Sequence, residues 1–266
     1  MARNSSEADH RNALENDLRE AIWREEFELF YQPVLDIKTG RITAAEALMR
    51  WRHPVKGLIM PDQFIPLAEE TRLIVQMGEW AMVKACRDAM LMPNDIKVAV
   101  NLSPVQFAKS NLVETAIFAL VDSQLPPERL ELEITEGVLL QETEQNLEIL
   151  RQLKNLGVSI ALDDFGVGYS SLGYLTSFPF GKVKIDRSFV KRLDKPESKA
   201  VVSSIVQLSR SLNLVTAAEG IETEAQLAEI QLLGVDLGQG YLFGKAVPLA
   251  DLDFTAVRAA AQTRAA

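Results

Sequence analysis

Residues 28–51, ELFYQPVLDIKTGRITAAEALMRW, set two apolar, strand-like runs, Glu28–Ile37 and Arg41–Trp51, on either side of Thr39-Gly40. A short connection carrying glycine between two such runs predicts a hairpin, because glycine takes the positive φ of tight turns without steric cost. The first strand is therefore expected to run antiparallel to the second. Downstream, further strand-like runs follow at Lys97–Leu102, Leu130–Thr135, Val158–Leu162, Lys182–Ile185, Leu214–Ala218 and Val235–Gln239, which with the hairpin pair makes eight. Between them the apolar spacing is helical, as at Leu147, Leu150, Leu153 and Leu156, or at Val201, Val202, Ile205, Leu208 and Leu212. Gly157 stands where the first of these helices needs a C-terminal cap. Strands alternating with helices predict a parallel β/α arrangement. No GxGxxG follows any strand, which weighs against an open doubly wound sheet. Eight strands in 266 residues fit closure, since a β/α barrel takes about 250. The expected fold is α/β, a (β/α)8 TIM-like barrel with an antiparallel first strand.

A hydrophobic content of 47% is enough for one full core. Residues 14–255 are expected to form that single domain, opened by the helical spacing of Leu14, Leu18 and Ile22. Residues 1–13, polar and without periodicity, are read as a linker remnant, and 256–266 as an Ala-rich tail. A net charge of −9 argues against binding long nucleic acid through a basic face. It leaves room for a small phosphorylated ligand held by metal ions. No run of 18 apolar residues and no export-signal pattern occurs, so membrane contact by this segment is not expected. The lone cysteine, Cys86, excludes an internal disulfide and reads as a small core residue. His53, before Pro54, reads as structural, and His10 falls in the linker.

Seven polar side chains stand near the ends of these runs: Glu46, Asn101, Glu133, Asp163, Lys184, Glu219 and Gln239. Burying a carboxylate costs several kcal/mol, so one could be explained by a local partner and four cannot easily be. The economical reading is convergence on bound cations at the carboxyl ends of barrel strands, where such barrels carry their active sites. Oxygen donors without His or Cys select hard cations such as Mg²⁺ or Mn²⁺. The adjacent Asp163 and Asp164 suit a two-ion site, one carboxylate bridging and the next binding one ion, a layout that activates water for phosphoester hydrolysis. Lys184 then supplies a positive charge near a phosphate or holds the attacking water. Each residue also has a plainer reading. Asn101 before Leu-Ser-Pro fits a turn, Glu133 and Glu136 a solvated rim with Thr135 capping a helix, Asp163-Asp164 an acidic turn, and Glu219-Gly220 a helix entry. Taken together, the seven favour a site.

Tyr31-Gln32-Pro33, Glu46-Ala47-Leu48 with Arg50-Trp51, Asn101-Leu102-Ser103-Pro104, Glu133-Ile134-Thr135-Glu136, Asp163-Asp164-Phe165-Gly166 with Gly168-Tyr169-Ser170-Ser171, Lys184-Ile185-Asp186, Ala218-Glu219-Gly220-Ile221-Glu222-Thr223 and Gln239-Gly240-Tyr241 together resemble the EAL-domain cyclic di-GMP phosphodiesterases over about residues 14–250. The resemblance implies the same barrel, hydrolysing cyclic di-GMP to linear pGpG with Mg²⁺ or Mn²⁺. It implies Glu46, Asn101, Glu133 and Asp163 as ligands of one metal, and Asp163 with Asp164 as ligands of a second. Lys184, Glu219 and Gln239 correspond to residues that hold water and complete the catalytic centre, and Gln32 and Arg50 to substrate contacts. Glu136 corresponds to an anchor of the loop after Asp164, a loop associated in the family with dimerisation. A cytoplasmic, homodimeric domain cut from a longer signalling protein is implied as well. Two positions depart from the pattern: Val167, where Thr or Ala is commoner, and Arg72, where Gly is frequent. The competing reading is a catalytically silent cyclic di-GMP receptor, which the complete ligand set disfavours.

Overall fold

The computed structural model describes residues 13–140, 144–167, 175, 178 and 180–255. The hairpin forms β1 (Phe27–Asp36) and β2 (Ile42–His53). Its turn is held by Asp36, whose carboxylate accepts from the Thr39 amide and hydroxyl at 2.7 and 2.9 Å, with Gly40 at φ 70°. Six parallel strands complete the wall: β4 (Lys97–Leu102), β5 (Leu130–Thr135), β6 (Ser159–Phe165), β7 (Lys182–Ile185), β8 (Val215–Ala218) and β9 (Leu237–Gln239). Each pairs with the next, and β1 closes the ring by running antiparallel to both β2 and β9. The expected eight-stranded barrel with an antiparallel first strand is therefore the observed fold. Two short strands lie outside the closed ring and outside the sequence reading: β3 (Gly57–Ile59) extends β2, and β10 (Val247–Pro248) extends β1. Segments of two and three residues are too short to show a period.

The helices are α1 (residues 13–21), α2 (Pro61–Glu70), α3 (Ile74–Ala89), α4 (Pro104–Lys109), α5 (Leu112–Ser123), α6 (Glu136–Leu140), α7 (Glu144–Asn155), α8 (Arg187–Val190), α9 (Pro196–Ser211) and α10 (Glu224–Leu233). Gly157, at φ 96°, stands just past α7 as expected. Side chains alternate across a strand, and the two faces differ here. Val98, Val100, Leu130, Leu132, Ile160, Leu162, Val183 and Ile185 face outward into the main apolar cluster with the helices. The inward positions are small or charged: Ala99, Ala161 and Ala217, with a buried Lys182–Glu131 ion pair at 2.5 Å. This small-residue floor leaves room for the polar cluster above it.

A second apolar cluster joins Leu18 and Ala21 of α1 to Phe27, Trp51, Phe64 and Met77. It supports the part of the hairpin that rises past the barrel, since β2 continues seven residues beyond Glu46. Cys86 is buried in α3, where burial pushes its thiol up to about 12. His53 is structural: its Nδ1 accepts from the Val55 and Lys56 amides, and its Nε2 meets Asp17 at 3.1 Å. Of the linker expected at 1–13, residues 1–12 lie outside the described residues, as does the tail 256–266, and Ala13 belongs to α1. Among the described residues no helix is long and apolar enough to cross a membrane.

Arg72 follows the C-cap of α2 with φ 64°. A side chain in that left-handed region costs about 1–2 kcal/mol that glycine avoids. Arg72→Gly is accordingly expected to stabilise the chain by about 1 kcal/mol, read as a higher urea midpoint at unchanged slope. A lower midpoint would show that the arginine side chain contributes more than its backbone costs.

Candidate active site

The carboxyl ends of β2, β4, β5, β6, β7 and β8 bring one side chain each to a common point. Lys184, almost fully buried on β7, is its centre. Its Nζ donates to Glu133 Oε2 at 2.6 Å and Asp163 Oδ2 at 3.1 Å, pairs with Glu219 Oε1 at 2.7 Å, and lies 3.9 Å from Glu46 Oε2. Two neutral amides bind the Glu46 carboxylate: Asn101 Nδ2 donates to Oε1 at 2.6 Å, and Gln239 Nε2 donates to Oε2 at 2.5 Å and also to Gln32 Oε1 at 3.1 Å. The registers that impose this are Gln32 opposite Glu46, Val34 opposite Gln239, and Asn101 beside Glu133. All seven predicted strand-end residues therefore meet in one network.

The strand read as Val158–Leu162 extends further than expected, and the plainer reading of Asp163-Asp164 as an acidic turn does not hold. β6 runs on through both to Phe165, with a shift in its register against β7 between Leu162 and Phe165. Asp164 sits in that irregularity at φ 53°, its amide donating to Asp163 Oδ1 at 2.9 Å. Such an irregularity re-aims a side chain without ending the strand. Asp163, Asp164 and Glu219 consequently each offer an oxygen within 4.8 Å of the others.

The electrostatics favour a cation. Burial is the largest influence on Glu133 and raises its carboxyl well above the ordinary value; Lys184 opposes this, and Glu46, Asp163 and Glu131 add to it. Burial likewise pushes Glu219 up to about 8 against the pull of Lys184. Asp164 is raised by burial and by the charges of Asp163 and Asp186. On Glu46 burial is outweighed by Lys184, Gln239 and Asn101, which hold the carboxyl low. Burial works against the Lys184 ammonium too, but the surrounding carboxylates raise it well above its usual value. Five carboxylates about one ammonium leave an excess of negative charge, and every other donor is an oxygen. The site thus fits hard divalent cations such as Mg²⁺ or Mn²⁺.

A raised carboxyl makes stability depend on pH. The contribution of Glu219 is complete below its unfolded value near 4.5 and is lost as pH rises through about 8; Glu133 acts in the same direction. With no divalent cation present, the melting temperature is expected to fall between pH 5 and pH 8.5. Added Mn²⁺ should flatten the profile. A flat profile in the presence of chelator would contradict these shifts.

The cleft above the network has a volume of about 360 Å³. Gln32 lies on its wall, donating to the Gly244 carbonyl at 3.0 Å. Arg50 lies aside from it, buried over the Phe30 ring at 5.4 Å and donating to the Met49 carbonyl. Glu136, the first residue of α6, accepts from the Gly166 amide at 3.0 Å; of the loop it faces, residues 168–174 lie outside the described residues. Leu48, Asp186, Arg187, Glu222 and Tyr241 also line the cleft and had been given no role. The available signal was position: four of them follow Lys184, Glu219 or Gln239 in the loops after strand ends, where barrel enzymes place their ligand contacts. A larger groove of about 540 Å³ between α3 and α5, lined by Trp80, Lys84 and Phe118, is away from every strand end and carries none of this chemistry.

The family model described as EAL domain matches residues 15–246. An uncharacterized protein of Sinorhizobium fredii is 48% identical over 239 residues, covering 90% of this chain and 29% of that protein. The bifunctional diguanylate cyclase/cyclic di-GMP phosphodiesterase MucR of Pseudomonas aeruginosa is 46% identical over 244 residues, covering 90% and 36% respectively. The solved structure of PaMucR phosphodiesterase in its c-di-GMP complex superposes with a TM-score of 0.84 at 46% identity, over 88% of this chain and 96% of that one. The chain spans about a third of the length of these curated relatives.

Proposed function

The chain belongs to the EAL-domain family, and on that premise we propose that it is a metal-dependent phosphodiesterase hydrolysing cyclic di-GMP to linear pGpG. The observation that carries this reading is the cluster around Lys184, in which Glu46, Asn101, Glu133 and Asp163 share one hydrogen-bonded network and Asp164 offers an oxygen within 4.8 Å of Asp163 and Glu219. A silent receptor has no need of so costly a buried carboxylate set. Glu46, Asn101, Glu133 and Asp163 would hold one Mg²⁺ or Mn²⁺, and Asp163 with Asp164 a second. Such ions, when bound, lower the pKa of water and stabilise charge on the phosphate and the leaving oxygen.

The side chains themselves position and move protons. Glu219, at the mouth of the network, accepts the proton of the attacking water, and its raised pKa brings it close to the working pH for this task. As the water oxygen bonds to phosphorus, the P–O3′ bond breaks, and the leaving oxygen takes a proton from solvent to give a 3′ hydroxyl, while Glu219 returns its proton to solvent. Lys184 holds Glu133, Asp163 and Glu219 in mutual register. Gln239 ties Glu46 to Gln32, linking the metal-binding side chains to the substrate wall. Gln32 and Arg50 are proposed substrate contacts, Arg50 after turning from Phe30. The test is product identity: with Mn²⁺ the chain should convert cyclic di-GMP to pGpG and leave cyclic di-AMP intact. Cyclic di-GMP recovered whole after long incubation would favour the receptor reading.

Glu136 is proposed to anchor the segment after Asp164 through the Gly166 amide, and this segment to mediate a homodimer. Glu136→Ala is expected to lower turnover roughly tenfold, about the worth of one charge-assisted hydrogen bond, and to weaken self-association while Mn²⁺ affinity persists. Parallel loss of metal affinity in calorimetry would instead make Glu136 a ligand. A cytoplasmic setting and a longer signalling protein complete the proposal.

A further inference from the structure

Acids dominate the charged groups that line the cleft. Glu46, Asp163, Asp164, Asp186, Glu219 and Glu222 face it, and among the described lining residues Arg187 alone carries a positive charge. The chain as a whole carries −9. A nucleotide with two phosphodiesters is therefore repelled from this mouth except where a cation stands. Lys184 is already engaged by three carboxylates within 3.1 Å, and Arg50 by Phe30 and the Met49 carbonyl. Arg187 differs from both. It is exposed, and no described carboxylate lies within 4.0 Å of its guanidinium.

Its stem is nevertheless fixed. Arg187 opens α8 directly after Asp186, whose carboxylate accepts from the Ser188 amide at 2.9 Å. Across from it Gly220 has φ 69°, and a Cβ on Gly220 would stand 2.6 Å from the Arg187 Cβ. Only glycine fits there, by backbone conformation and by contact. The arginine stem is thus seated against Gly220, and the residue lines the cleft while remaining exposed.

We propose that Arg187 binds the second phosphodiester of the cyclic dinucleotide, the one that is not cut. This rests on the phosphodiesterase reading above. The macrocycle carries its phosphates on opposite sides, so with one over the acidic floor the other faces the rim. A guanidinium offers the paired donors that phosphate oxygens accept.

The contrast between two ligands tests it: cyclic di-GMP, and GpG, which has one phosphodiester and no terminal phosphate. Both are titrated by calorimetry into wild type, Arg187→Lys and Arg187→Ala, with Ca²⁺ replacing Mg²⁺ to hold hydrolysis back. Arg187→Ala is expected to weaken cyclic di-GMP about tenfold and GpG less than twofold, with Arg187→Lys between; melting and Mn²⁺ affinity should match wild type. Equal losses on the two ligands, or none on either, overturn the assignment. Wild type that binds cyclic di-GMP but never hydrolyses it in Mg²⁺ removes the enzymatic reading alone, and the Arg187 contrast still decides the contact. Wild type that binds no cyclic di-GMP overturns both.

Discussion

Glu219→Gln is expected to lower turnover of cyclic di-GMP by about a thousandfold while the nucleotide still binds within a few-fold of wild type. The amide keeps the size of the carboxylate and still accepts the Lys184 hydrogen bond seen at 2.7 Å, but it takes up no proton. Removal of a positioned general base costs typically 10²–10⁴-fold. The nucleotide's other contacts, proposed at Gln32, Arg50 and the rim, are untouched, so the loss belongs to kcat. Wild-type turnover in this variant would remove Glu219 from the chemistry, and lost binding would make it a ligand-holding residue.

Lys184→Met has the second large effect, on stability as well as rate. Methionine preserves the apolar stem and deletes the charge that four carboxylates face within 4 Å. Deleting one partner of a buried ion pair costs about 3–5 kcal/mol, because the other charges remain without compensation. The cost should be largest above pH 8 and shrink as pH falls and the raised carboxyls of Glu133 and Glu219 take up protons. Mn²⁺, by supplying positive charge to the same oxygens, should restore much of the melting temperature without restoring turnover. A variant that melts like wild type at pH 8.5 in chelator would show that the cluster does not depend on Lys184.

The barrel was legible because each wall strand announces itself: β4, β5 and β7 coincide with the apolar runs read from sequence, and Thr39-Gly40 marks the hairpin that sets β1 antiparallel to β2. The strand-end residues were legible because a carboxylate inside an apolar run is costly without a reason. Less could be read where geometry departs from a repeating pattern. The apolar run of β6 stops at Leu162 because Asp163 and Asp164 are polar neighbours, and only the left-handed backbone of Asp164 shows how both belong to the strand and to the site. Arg187 is not legible because a single exposed arginine has no periodic or chemical neighbour in sequence; it gains meaning from the six carboxylates that line the same cleft. Arg50 is the converse: its motif points to substrate, and its side chain packs on Phe30.

Metal-dependent hydrolysis at this cluster is tested most directly by timed conversion of cyclic di-GMP in protein stripped of divalent ions, followed by back-addition of Mg²⁺ or Mn²⁺. The prediction is no pGpG in the stripped protein and its prompt appearance on addition of either ion, with none on addition of Ca²⁺, which is larger and holds its ligands at longer distances. Undiminished pGpG formation after exhaustive chelation would contradict it.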